Sequence, residues 1–140
     1  LLVKFSPDLS REGIAAGVEL AEELDLDGII AVNTTTEREE LQHPSRVEDG
    51  GLSGAPLRER STSTIRFVAE RTDLPVVGVG GVFTATDAYE KIRAGASIVQ
   101  LYTGMVYRGP SIATEINREL LTLLERDGFD SVEEAVGADL

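Results

Sequence analysis

Val76-Val77-Gly78-Val79-Gly80-Gly81 is an apolar run that closes on paired glycines, and Leu101-Tyr102-Thr103-Gly104 closes in a similar way further along the chain. A short valine-rich run with Pro75 before it and glycine after it reads as a buried strand. Where two neighbouring strands each finish in glycine, bare backbone N–H groups collect at a point where a phosphate can sit. That arrangement is frequent in barrels of alternating strands and helices. The two runs therefore point to a parallel α/β fold and to a phosphorylated ligand.

Outward from this stretch the pattern alternates between short β-type and longer helical segments. Leu1 to Phe5 reads as a strand. Pro7 breaks it, and Ser10 is placed to cap a helix whose apolar positions Ile14, Val18, Ala21 and Leu24 follow the helical period. Gly28 to Val32 is the next apolar run, followed by a polar, glycine-rich stretch from Asn33 to about Arg60. Ser61 is expected to cap a helix carrying Ile65, Val68 and Ala69, and Pro75 opens the strand to Val79. Thr84 with Asp87 makes a capping-box start to a helix through Ala88 and Ile92, Gly95 ends it, and Ser97 to Leu101 is the fourth strand. Ser111 starts a long helix with Ile112, Ile116, Leu120, Leu123 and Leu124 on one face, and Ser131 with Glu134 starts a short final one.

Strands alternating with helices imply a parallel sheet, and four such units suit half of an eight-stranded barrel or a small open sheet. The chain begins inside a strand, so residues 1–140 are read as the C-terminal half of a (β/α)8 barrel whose N-terminal half lies outside this chain. An isolated half exposes two strand edges, which the missing half or a second copy is expected to cover.

Composition narrows the class. At 140 residues and 41% hydrophobic content the chain suits one packed domain. No apolar run approaches the eighteen or so residues of a membrane span, and no leader pattern opens the chain, so it is expected to be neither inserted nor exported. The absence of cysteine excludes disulfides, thiolate metal sites and cysteine nucleophiles. Twenty-five acidic residues against 13 basic ones give a net charge of −12, which argues against nucleic acid as a partner. Only Lys4 and Lys91 are lysines. An acidic, lysine-poor surface fits a salt-adapted, halophilic source, because concentrated salt screens the self-repulsion. In a chain that avoids lysine, Lys4 at the end of an apolar strand stands out.

Several segments occur together in one order: Val3-Lys4 with Ser6-Pro7-Asp8-Leu9, Asn33-Thr34-Thr35, Gly50-Gly51-Leu52-Ser53-Gly54 with Pro56-Leu57, Ser61-Thr62, Gly78-Val79-Gly80-Gly81, Lys91-Ile92 with Ala94-Gly95-Ala96-Ser97, and Val99-Gln100-Leu101-Tyr102-Thr103-Gly104. Each piece is weak alone, but the ordered set closely resembles the C-terminal half of the dihydroorotate dehydrogenases, flavin enzymes of pyrimidine synthesis. The ending from Gly128-Phe129-Asp130 through Gly137-Ala138-Asp139 resembles the class 2, quinone-using branch.

The resemblance implies an FMN-dependent oxidation of dihydroorotate to orotate with a quinone as acceptor, in an enzyme held peripherally on the cytoplasmic side of the membrane by an N-terminal segment this chain does not contain. It implies that Lys4 lies beside the flavin and stabilises negative charge as hydride arrives, a role suited to a fixed cation. Asn33 and Thr34 correspond to residues that hydrogen-bond orotate. Ser53 and Gly54 correspond to a loop that approaches the flavin, and Gly80, Gly81, Tyr102 and Thr103 to its phosphate cradle. At Val32 the chain departs from the family, which usually has a flavin-contacting threonine there; losing one hydroxyl is expected to shift flavin affinity slightly.

The proton-abstracting base of the class 2 branch is a serine from the other half, so no catalytic base and no metal are expected here, and this chain alone is expected to be soluble and inactive. His43, the single histidine, sits beside Pro44 in the acidic loop and reads as a surface residue, as do Glu37, Glu39 and Glu40. Two alternatives stay open: another FMN barrel such as a dihydropyrimidine dehydrogenase domain, and a non-catalytic half-barrel serving as an assembly module.

Overall fold

The structure, a computed structural model, describes residues 1–38, 41–43 and 47–140. Glu39, Glu40 and Pro44 lie outside the described residues. Four strands, β1 (Leu2–Phe5), β2 (Gly28–Ala31), β3 (Val76–Val79) and β4 (Ile98–Gln100), form one sheet in the order β1-β2-β3-β4. All neighbours run parallel, with Lys4 opposite Ile30, Ala31 opposite Gly78 and Val79 opposite Gln100. Helices α1 (Arg11–Glu23), α2 (Arg58–Ala69) and α3 (Ala85–Arg93) return the chain between strands. Beyond β4 come the short α4 (Thr103–Arg108), the long α5 (Ile112–Asp127) and the final turn α6 (Val132–Ala135). The chain is therefore α/β, and four strand-helix units in parallel succession match part of a (β/α)8 barrel.

Capping decides where the helices begin. The Ser10 side chain accepts from the Gly13 amide at α1, and Ser131 accepts from the Glu134 amide at α6. At α3, Thr84 and Asp87 form the reciprocal box. Ser61 departs from expectation. A 3-10 turn over Ala55–Leu57 leads directly into α2 at Arg58, so Ser61 lies one turn inside the helix, fully buried, and caps nothing. At the other end of α1, Leu24 is exposed although its period placed it in the core. Asp25 takes a left-handed φ of 50°, and the Leu26 amide reaches back 2.9 Å to the Ala21 carbonyl. This closing motif tucks Leu26 against the core where Leu24 was expected. Helix α4 also departs from expectation, since no apolar period announces its six residues.

One core lies between the sheet and α1 and α2, with Ile14, Val18, Ile29, Ile65 and Val68 almost wholly buried. Each such side chain stabilises the fold by about 2 kcal/mol. A second core joins α3, α5 and α6 through Tyr89, Ile92, Ile112, Ile116 and Leu124. Half-buried arginines pair with acids across the surface, as in Arg60 with Glu37 at 2.5 Å and Arg93 with Asp139 at 2.5 Å. Salt weakens such pairs, but each contributes at most about 1 kcal/mol, whereas the net charge of −12 repels throughout the surface. The balance favours salt, so thermal unfolding should shift upward from dilute buffer to molar potassium chloride. A midpoint independent of salt, or falling with it, would show that the local pairs outweigh the net repulsion.

Candidate functional site

The carboxyl ends of all four strands open into one cleft of about 550 Å³. Parallel sheets place chemistry at this end because the loops leaving the strands converge there while the scaffold beneath stays rigid. β1 contributes Lys4, the end of β2 contributes Val32, Asn33 and Thr34, and the segment after β3 contributes Gly80 and Gly81. The segment after β4 contributes Tyr102, Thr103 and Gly104, and the long β2–α2 loop closes over with Ser53, Gly54 and Leu57. Every residue singled out for binding in the sequence thus lines the same cleft. Val32 is buried, with its amide donating to the Val79 carbonyl at 3.1 Å, and Asn33 is anchored through its amide to the Phe5 carbonyl at 2.8 Å. The side chains of Lys4, Asn33 and Thr34 remain exposed at the mouth, and the Tyr102 ring points largely to solvent.

At one end the cleft is lined by backbone. Gly54, Gly80 and Gly81 all have left-handed φ, at 82°, 122° and 71°. The amides of Gly81, Thr103 and Gly104 meet no acceptor among the described residues, and the Thr103 hydroxyl lies 2.8 Å from that of Ser53. Unpaired donors converging with a hydroxyl make a seat for an anion. The reason glycine stands at 81 differs from the sequence-based one. A Cβ there would come within 2.5 Å of the Arg58 Cα, so the close neighbour is the start of α2 and not only a ligand. A bulky substitution at 81 would damage the fold before it tested binding.

Three residues that support the site were given no part in it by the sequence, where Asp87 was read only as half of a capping box. Asp8, just past β1, accepts from the Thr35 hydroxyl at 2.5 Å and from the amide and hydroxyl of Thr36 at 2.8 and 2.9 Å. Burial works against its carboxylate, but the donors of Thr35 and Thr36 and the Arg60 charge outweigh burial and hold the carboxyl below its ordinary value. The clasp pins the strand-end segment that presents Asn33 and Thr34, and a bridge between Thr35 and Leu52 ties the β2–α2 loop to it. Asp87 accepts from Arg58 at 2.7 Å and from the amides of Phe83 and Thr84 at 3.0 and 2.9 Å, fastening the turn after Gly81. Lys91 is fully buried, and burial pushes its ammonium down to about 8 against the pull of Asp87 and Glu90. A lysine on the same helical stripe as Ala88 and Ile92 was the signal for it. His43 and Glu37 are exposed, as read from the sequence.

The profile of the family described as dihydroorotate dehydrogenase matches residues 1–124. The chain belongs to the dihydroorotate dehydrogenase family. It is 71% identical over 141 residues to a dihydroorotate dehydrogenase (quinone) of Halobacterium salinarum, and 65% identical to that of Haloarcula marismortui, each match covering the whole of this chain and 40% of the relative. These halophilic relatives agree with the salt-adapted composition. Dihydroorotate dehydrogenase from Eimeria tenella, solved in complex with ferulenol, superposes with a TM-score of 0.95 at 43% identity, covering 99% of this chain and 38% of that one. The chain thus spans about 40% of the length of the curated relatives it matches. Among the described residues no helix is long and apolar enough to cross a membrane.

Proposed function

We propose that this chain is the C-terminal half of a quinone-dependent dihydroorotate dehydrogenase and supplies the FMN phosphate seat and the pyrimidine-facing side chains of its barrel. The observation that carries this reading is the convergence of Lys4, Val32, Asn33, Thr34, Ser53, Gly54, Gly80, Gly81, Tyr102 and Thr103 on one cleft that ends in unpaired amides. The residues present fit a flavin phosphate: the amides of Gly81, Thr103 and Gly104 have no acceptor among the described residues, and the paired hydroxyls of Ser53 and Thr103 line the same cleft.

FMN, when bound, supplies the two-electron acceptor through which dihydroorotate becomes orotate and electrons pass on to a quinone. The chain's own residues bind and orient. The amides of Gly81, Thr103 and Gly104 hold the phosphate, and the hydroxyls of Thr103 and Ser53 add donors beside it. Asn33 and Thr34, held by the Asp8 clasp, offer donors and acceptors to a planar substrate with a carboxylate. Lys4 stands at the end of β1 as a fixed cation facing the same space, able to stabilise negative charge that develops on the ring. Val32, where the family usually has threonine, keeps a β-branched shape and offers no side-chain hydrogen bond. The proton-abstracting base and the quinone path belong to the remaining part of the protein, and the chain alone should bind without turning over. In the whole enzyme the reading implies a peripheral place on the cytoplasmic face of the membrane.

Thr103→Val tests the phosphate seat. The substitution keeps shape and removes one hydroxyl, so the full-length protein should hold FMN about tenfold more weakly, the loss of one hydrogen bond to a charged group. Titration of FMN into the flavin-free protein, followed by flavin fluorescence, reads the change directly. An unchanged dissociation constant would remove Thr103 from the seat.

A further inference from the structure

Among the described residues Lys91 is the largest fully buried side chain, and nothing in the binding scheme uses it. Burying an ammonium is costly unless every donor is satisfied. Here its three protons are matched by three acceptors: the Ser61 hydroxyl at 3.0 Å, the Thr62 hydroxyl at 3.0 Å and the Arg58 carbonyl at 3.4 Å. Because Lys91 can only donate, Ser61 must accept from it and turn its own proton elsewhere. That proton goes to the Val79 carbonyl at 2.6 Å. The Val79 carbonyl belongs to the peptide that enters the Gly80–Gly81 turn, and the planarity of that peptide passes any change at the carbonyl on to the Gly80 nitrogen.

The same turn is wedged against the two groups that Lys91 holds. A Cβ on Gly80 would lie 3.2 Å from the Ser61 Cβ, and one on Gly81 would lie 2.5 Å from the Arg58 Cα. Lys91 therefore grips the turn from beneath at both sides, through Ser61 to Val79 and through the Arg58 carbonyl to the backbone on which Gly81 rests.

We propose that Lys91 is a positioning residue for the phosphate seat: through Ser61 and the Arg58 carbonyl it sets the attitude of the Gly80–Gly81 turn and so the affinity for the phosphate end of the ligand. The proposal rests on the reading of the cleft as a phosphate seat. It differs from a plain stability role in its selectivity, because only the phosphate end of a flavin meets this turn.

The test compares FMN with riboflavin, which has the same ring and no phosphate, by fluorescence titration of the flavin-free full-length protein. Lys91→Met, which fills the space without the charge, should weaken FMN binding about tenfold, the loss of one aligned hydrogen bond to a charged group. Riboflavin binding should stay unchanged, which also shows that the rest of the cleft is folded. Ser61→Ala cuts only the arm to Val79 and should produce the same selective loss in smaller measure. Equal loss of both flavins in both variants would make Lys91 structural alone, and no loss of FMN in either would overturn the proposal. If the wild-type protein itself bound FMN no better than riboflavin, the phosphate seat would fall, and this role with it. If Thr103→Val weakened FMN while both the Lys91 and Ser61 variants left it unchanged, the seat would stand and only the role of Lys91 would fall.

Discussion

Replacing Lys4 by alanine in the full-length enzyme should slow the reduction of bound FMN by dihydroorotate by about a hundredfold or more, the effect of losing one preorganised charge. Lys4 is placed by β1, whose register opposite Ile30 aims the strand end at the cleft. It is one of only two lysines in this chain, and the other is buried, so no second lysine of this chain can substitute. Dihydroorotate affinity should change far less, since Asn33 and Thr34 remain in place. Anaerobic stopped-flow measurement of flavin bleaching at saturating dihydroorotate separates the two effects. Equal reduction rates at full flavin occupancy would reduce Lys4 to a solvated strand-end charge and move its assigned role to the other half of the barrel.

Gly104→Ala should destabilise the protein and weaken FMN retention by about a hundredfold, the loss of two hydrogen bonds to a charged group. Helix propensity predicts the reverse, a gain of about 1 kcal/mol for alanine over glycine inside a helix. The tertiary contact decides, because a Cβ on Gly104 would sit 2.3 Å from the Val82 carbonyl oxygen and 3.1 Å from the Ile112 side chain. A backbone carbonyl cannot rotate away as a side chain can, so α4 must lift from the segment after β3, at a cost of about 1–3 kcal/mol. Lifting α4 carries the amides of Thr103 and Gly104 away from that of Gly81, and the seat opens. Thermal melts of the variant together with FMN titration give the answer. A variant more stable than wild type with FMN affinity intact would mean that the close approach is relaxed without consequence.

Much of this site was legible before the fold because local rules and the ordered motifs agreed. The valine run before Gly80 and Gly81 named a strand end, but the second run did not close a strand on glycine: β4 stops at Gln100 and Gly104 lies inside α4. The capping residues Ser10, Thr84 and Ser131 stand where their side chains accept from the helix amides. Where a single residue could serve two purposes, local reading went astray. Ser61 has the chemistry of a cap, yet its hydroxyl is taken by the Val79 carbonyl and by Lys91. Leu24 keeps the helical period, yet the left-handed turn at Asp25 ends the helix first and brings Leu26 inward.

The sequence by itself determined the alternation of strands and helices and the acidic composition, because period, capping and charge act over a few residues, whereas the set of residues that line the cleft followed from the family resemblance its ordered motifs carry. Only the tertiary structure decided why those residues are held as they are. Asp8 meets Thr35 and Thr36 across 27 and 28 positions, and Lys91 meets Ser61 across 30. No local pattern encodes such pairs: they form only when separate elements pack together, and for the buried Lys91 ammonium the exclusion of water makes the partners obligatory.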